Sequence, residues 1–246
     1  TTESAKKIID FFNDINGSWL LRLISSKKAL ESNITIKANN TKPRVRDNVK
    51  ITFTLKDGNN KAIKNQDITV NINGKTSTLY LNTSGQAVVN YTLTNKDKCI
   101  NITATYEGNV TQQATRNNLT VNRYYKADME LLTGSFDSKP GDTVKLIAHI
   151  KDNGLDIDGG QLVFKLNGVS LKDANGNAVV VNIKKGLAVL EYKIPDTLGA
   201  RTHNLTAVYA SNNYGRVELT TPMTINKYYT HIEVNQTYTT SNTIQV

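Results

Sequence analysis

The chain has 246 residues, 38% of them hydrophobic, and 30 Lys and Arg stand against 21 Asp and Glu, a formal net charge of +9. That length admits two sandwich domains of about 100 residues each, and the low apolar fraction argues against one large core. Four prolines and 15 glycines exclude a collagen-like or low-complexity chain, the lone cysteine, Cys99, excludes an intrachain disulfide, and no apolar run is long enough to span a membrane as a helix.

The chain opens without a signal peptide, so any leader or anchor of an exported protein is expected outside this sequence. Ala5, Ile8, Ile9, Phe12 and Ile15 fall on one helical stripe, which Asn16-Gly17 ends. Ser18 stands where a cap would start a second helix carrying Trp19, Leu20, Leu23, Ile24 and Leu30. Residues 1–32 are therefore expected to be a short helical segment packed on the first sandwich, a membrane-surface helix being the other reading.

From Val49 the period changes. Val49-Lys50-Ile51-Thr52-Phe53-Thr54-Leu55 alternates strictly, which buries one strand face and wets the other. Ile68–Ile72 alternates likewise, Asn73-Gly74 supplies a tight turn, and strands are expected over 76–81, 87–93 and 100–106, with a last one ending at Val121. About seven short strands with frequent turns is the pattern of an immunoglobulin-like sandwich.

The same series then recurs. Asp47-Asn48-Val49-Lys50 is echoed by Asp142-Thr143-Val144-Lys145, 95 residues on (144 − 49), and Lys42-Pro43 by Lys139-Pro140. Val70-Asn71-Ile72-Asn73-Gly74 matches Phe164-Lys165-Leu166-Asn167-Gly168, and Asn101–Tyr106 matches Asn204–Tyr209. Val121-Asn122-Arg123-Tyr124-Tyr125 matches Ile225-Asn226-Lys227-Tyr228-Tyr229. The spacing grows along the chain, so the second copy carries insertions. The expected architecture is all-β: tandem immunoglobulin-like β-sandwiches with a short N-terminal helical segment. Its parts are a helical segment at 1–32, repeat 1 at 33–125, repeat 2 at 126–229 and the start of a third repeat at 230–246. Short linkers without Gly or Pro predict stiff, end-to-end neighbours, and the chain is expected to be a monomer.

Little in the chain points to chemistry. His149, His203 and His231 have no partners at metal-ligand spacing, and no hydrolase, zinc or phosphate-loop motif occurs. No catalytic, cofactor or metal residue is assigned, and no enzyme is expected. Cys99 lies in a strand pattern and reads as a small apolar filler. Asp152, Asp156 and Asp158 share a glycine-containing loop that suits calcium in composition but not in spacing. A solvated hairpin is the plainer reading. The charge excess attracts polyanions in general, yet the lysines are dispersed and the tyrosines cluster at turns, which argues against nucleic acid. Tyr106 and Tyr209 occupy matching places before a turn, fitted either to tie a loop through the hydroxyl or to stack on a sugar. Sequons begin at Asn16, Asn33, Asn39, Asn82, Asn90, Asn101, Asn109, Asn118, Asn204 and Asn235. A Lys–Asn crosslink would require a buried lysine, and the sequence does not single one out.

Lys139-Pro140-Gly141-Asp142-Thr143-Val144, Gly159-Gly160-Gln161-Leu162-Val163-Phe164-Lys165-Leu166-Asn167-Gly168 and Leu205-Thr206-Ala207-Val208-Tyr209 resemble the bacterial Ig-like repeat family. The Asn-, Lys- and Thr-rich flavour is similar to adhesin-like surface proteins of methanogenic archaea. The resemblance covers about residues 33–230. The first copy departs from it, with Arg44-Val45-Arg46 where the second has Gly141, and with no Gly-Gly. It implies an extracellular, non-catalytic module that displays or mediates cell adhesion, its partner a cell-surface glycan, a cell-wall polymer or a protein on another cell. The alternative is the substrate-binding or spacer region of a surface enzyme acting on cell-wall polymer or peptides.

Overall fold

The structure is a computed structural model that describes residues 3–7, 10, 29–133, 136–234, 237–238 and 244–245. The chain divides into two compact units, Thr1–Tyr124 and Tyr125–Val246.

In unit 1, residues 3–7 and 10 are helical. Ile8, Ile9, Phe12, Ile15, Ser18, Trp19, Leu20, Leu23 and Ile24 lie outside the described residues. Leu30 corrects an expectation: it makes a parallel bridge with Gln112 rather than continuing a helix. Its N–H donates to Thr111 and its carbonyl accepts from Gln113, so a strand edge satisfies it.

Seven strands follow: β1 (Ser32–Ala38), β2 (Asn48–Asp57), β3 (Asp67–Ile72), β4 (Lys75–Tyr80), β5 (Gln86–Thr92), β6 (Cys99–Tyr106) and β7 (Thr115–Asn122). One sheet runs β1-β2-β5 and the other β4-β3-β6-β7. The alternation in β2 buries Val49, Ile51, Phe53 and Leu55, while β3 and β6 answer with Ile68, Val70, Ile100, Ile102 and Ala104. Period-two patterning on both sheets is what closes an immunoglobulin-like sandwich.

Unit 2 repeats this plan with a divided first strand. β8 (Asp128–Leu131) pairs antiparallel with β10 (Thr143–Asp152), whereas β9 (Phe136–Ser138) belongs to the other sheet. There β9 pairs in parallel with β17 (Gly215–Ile225), Met223 opposite Phe136 and Ile225 opposite Ser138. β10 also pairs with β11 (Leu155–Asp156) and with β15 (Leu187–Lys193). The second sheet holds β12 (Gln161–Leu166), β13 (Val169–Ser170), β14 (Val180–Asn182) and β16 (Thr202–Ser211) beside β17 and β9. In the tail, β18 (Thr237–Tyr238) pairs with β19 (Ile244–Gln245).

The growing spacing has a location. Gly74 and Gly168 are 94 apart (168 − 74), but the strand partners Ala87 and Ala188 are 101 apart (188 − 87). The added residues lie between β13 and β14, in a turn where Asp173 Oδ1 accepts the N–H groups of Asn175 and Asn177. One continuous strand, β4, thus becomes two short pieces.

Hydrogen bonding also refines one sequence match. Asp47 Oδ2 accepts from Arg44 N–H at 2.9 Å, and Asp142 Oδ2 accepts from Lys139 N–H at 2.8 Å. Arg46 N–H donates to Leu93 just as Gly141 N–H donates to Ile194. Lys139-Pro140 therefore corresponds to Arg44-Val45, not to Lys42-Pro43. Arg46 takes Gly141's left-handed conformation, at φ 68° against 82°.

Candidate binding face

The residues that could carry chemistry are dispersed and mostly engaged in holding turns. Asp152 is buried and accepts the Tyr214 hydroxyl at 3.2 Å. Asp156 Oδ1 meets His149 Nε2 at 2.7 Å, and Asp158 accepts the Lys185 N–H. The loop whose composition suits calcium thus gives each carboxylate a different protein partner. Among the described residues, no three His, Cys, Asp or Glu gather where they could hold a metal ion.

His203 is buried, where the first copy has Ile100. Its Nε2 donates to the Gly199 carbonyl at 2.8 Å and its Nδ1 accepts from Asn167 Nδ2 at 2.8 Å, which assigns a neutral ring with the proton on Nε2. His231 is exposed beside Glu233. Cys99 is half-buried, and its carbonyl accepts from Asn73 Nδ2.

Both tyrosines before the turns are buried, which removes them as sugar platforms. Tyr209 donates to the Gly159 carbonyl at 3.4 Å, and Tyr106 accepts from Asn109 Nδ2 at 2.8 Å. Each ties down a loop, through different partners. The buried polar and charged side chains are Arg123, Ser138, Asp152 and His203. No lysine among the described residues therefore has the burial that a Lys–Asn crosslink needs. Asn33, Asn39, Asn82, Asn90, Asn101, Asn109, Asn118 and Asn204, every sequon asparagine that is described, are exposed. Asn16 and Asn235 lie outside the described residues.

One concave feature stands out in unit 1, and the sequence reading missed it. A groove of about 980 Å³ runs over the outer face of β1 and β2. Lys37, Lys50 and Lys56 line it together with Asn33, Thr35, Thr52, Thr54 and Gln86, and Glu31 and Asp57 stand at one end. These are the wet positions of the strands whose alternate residues fill the core. The strand register places each lysine opposite a neutral residue: Lys56 faces Asn33, Lys37 faces Thr52 and Lys50 faces Asn90. Asp57 is turned into its own loop, where Oδ1 accepts the N–H groups of Asn59 and Lys61. Lys56 Nζ donates to Asn60 Oδ1. Period-two alternation signalled a wet face but not its shape, because curvature arises from pairing and twist.

Among the described residues, Asp97 and Asp142 have lowered pKa values. Partial burial pulls Asp97 upward, but hydrogen bonds from Thr94, Tyr91 and Asn73 together outweigh it. For Asp142 the Lys139 N–H is the main cause, followed by the Ser138 hydroxyl. Burial raises the phenols of Tyr91, Tyr106 and Tyr192. Tyr91 and Asp97 are joined directly, the phenol donating to Asp97 Oδ1 at 3.1 Å, and Asp142 is held by Lys139 and Ser138. They stiffen turns.

No family model matches the chain, and no curated protein matches it. Among solved structures it is similar to invasin, described as a bacterial integrin-binding protein, at 15% identity and TM-score 0.45, over 79% of this chain and 40% of that one. It is similar to the adhesin InvE of Yersinia pseudotuberculosis at 16% identity and TM-score 0.38, over 77% of this chain and 58% of that one. The fibronectin(III)-like modules of Clostridium thermocellum CbhA match at 10% identity and TM-score 0.33, over 82% and 100%. Similarity at this level carries no ligand or activity across. The chain is a tandem immunoglobulin-like β-sandwich protein on the strength of its own sheets. No helix among the described residues is long and apolar enough to cross a membrane.

Proposed function

We propose that the chain is a non-catalytic stalk module of an adhesin-like cell-surface protein, exposed outside the cell and monomeric, which presents or mediates adhesion. On this reading the repeats run over residues 33–125 and 126–229, and 230–246 begins a third. The observation that carries the proposal is how the ends of each unit are held. β9 pairs in parallel with β17, and Leu30 pairs in parallel with Gln112. Tension between the two ends of a unit pulls such partners in opposite directions along their strands. Their hydrogen bonds are then loaded together in shear instead of opening one by one. That suits a spacer under load, and the exposed sequon asparagines suit an exterior surface.

The test is single-molecule pulling of the intact chain. Asn226→Pro removes the donor to the Ser138 carbonyl, and Gln113→Pro removes the donor to the Leu30 carbonyl. Two unfolding events are expected, each variant lowering the force of its own unit only. Unfolding forces indifferent to both substitutions would overturn the stalk reading.

A further inference from the structure

We infer that the groove over β1 and β2 binds a linear acidic polysaccharide, a glycan chain bearing carboxylates. The inference deepens the surface-module reading by naming a partner class and a site, and it rests on that reading only for where the partner would be met.

Net charge alone would spread cations over both sandwiches, but the two equivalent sheet faces differ. In unit 2, Lys145 lies opposite Glu191, and Lys151 lies opposite Asp128 and Asp156. Between them sit Ile147 opposite Val189 and His149 opposite Leu187. That face is balanced in charge and partly apolar. In unit 1, Lys37, Lys50 and Lys56 face only the neutral residues Thr52, Asn90, Asn33 and Ala62 across the register. Among the described residues Lys37 and Lys50 make no ion pair. Three like charges on one face, with acids only at one end of it, raise the local potential and favour an anionic occupant.

Shape and chemistry narrow the occupant. Lys50 and Lys56 are six residues apart on β2, roughly 20 Å at strand rise, so the cations are strung along a line. A linear polymer can meet all of them, whereas a single small anion cannot. Between the ammonium groups stand hydroxyls and amides: Thr35, Thr52, Thr54, Asn33 and Gln86. These donate and accept, which matches sugar hydroxyls, and among the described residues no aromatic side chain lines the groove to stack on nucleobases. The acid pole of Glu31 and Asp57 closes one end and sets a direction for the bound chain.

The experiment is a binding titration of the intact chain against polygalacturonate, with neutral dextran and duplex DNA alongside, at about physiological ionic strength. Lys37→Gln/Lys50→Gln/Lys56→Gln is compared with Lys75→Gln/Lys172→Gln/Lys193→Gln, which removes equal charge from exposed positions outside the groove. The groove variant should lose about tenfold in affinity and the control less than about twofold. Thr52→Val keeps charge and strand shape but removes a hydroxyl, and should cost about threefold. Equal losses from both triple variants would show that only overall charge is read, and would overturn the inference. So would tighter binding to DNA than to polygalacturonate, or no binding to polygalacturonate. The same variants should unfold under force like the parent chain, so failure here is separable from failure of the stalk reading.

Discussion

The two sandwiches solve one packing problem with opposite placements of a single large ring. In unit 1, β2 contributes the fully buried Phe53 and β3 contributes Val70. At the matching places in unit 2, β10 contributes Ala148 and β12 contributes Phe164. The ring has moved from one sheet to the other. A core needs its volume filled but does not prescribe which layer fills it, provided the partner position shrinks. The copies therefore share a frame while differing in the detail that locks it.

The largest effects come from breaking that exchange. Phe53→Ala and Phe164→Ala should each destabilise their own unit by about 3–5 kcal/mol, read by unit-resolved hydrogen exchange and denaturant unfolding. Ala148→Phe alone should overpack unit 2 by about 1–3 kcal/mol. Adding Phe164→Val recreates the layout of unit 1, so the double variant should be more stable than the sum of the two single losses. Simple additivity would show that the two positions do not share one core volume.

A smaller effect separates the tyrosine anchors. Gly160 has φ +84°, and a Cβ there would come within 2.6 Å of the Tyr209 ring. Gly168 has φ +85° but nothing within 4 Å. Gly168→Ala should cost about 1 kcal/mol for the left-handed backbone alone. Gly160→Ala should cost about 3 kcal/mol, because ring displacement adds to the same backbone penalty. Equal losses in thermal unfolding would remove the packing role of the Gly160 contact. Unit 1 has Gln66 at this place, and its Tyr106 binds Asn109 instead.

These contrasts explain what sequence could and could not reveal. Strands β2, β3 and β6 were legible because alternation reports directly which face is wet, and Asn73-Gly74 was legible because the turn demands positive φ at both residues, 49° and 87°. The parallel pairing of β9 with β17 was not legible. It joins segments far apart in the chain and leaves no local pattern. The exchange of Phe53 for Phe164 looked like drift until both lay in equivalent cores. The aspartate loop looked like one cluster because sequence proximity hides where side chains go, and Tyr214, His149 and Lys185 each take one carboxylate. The groove stayed hidden for the same reason: Lys37 and Lys50 are distant in sequence and become neighbours only through the β1–β2 register.

The turn asparagines offer a finer test. Asn73 and Asn167 both adopt φ 49° and accept the backbone N–H of Asn101 and Asn204, at 2.8 and 3.0 Å. Replacing either by Ala should cost about 2 kcal/mol. In unit 2 the loss also strands His203 Nδ1. His203→Ile, which installs the residue of unit 1, should therefore be less harmful in the Asn167→Ala background than alone. A double-mutant cycle with no coupling would show that the imidazole and the amide act independently.

The smallest effect is an acid limb that differs between units. Asp97 and Asp142 have lowered folded pKa values, so each contributes stability that is present above its unfolded value, near 3.8. As pH falls through the still lower folded value, both carboxylates take up protons and that contribution disappears. Asp142 has a counterpart in unit 1, Asp47, which binds the same turn. Asp97 has none, since Leu198 occupies the matching turn and its N–H bonds Pro195 just as the Asp97 N–H bonds Thr94. Asp97→Asn should thus flatten the acid dependence of unit 1 below about pH 4 and leave unit 2 unchanged. An acid limb that persists unaltered in unit 1 would mean that its carboxylate cluster with Thr94 and Tyr91 does not govern stability there. The difference between the copies would then lie in packing alone.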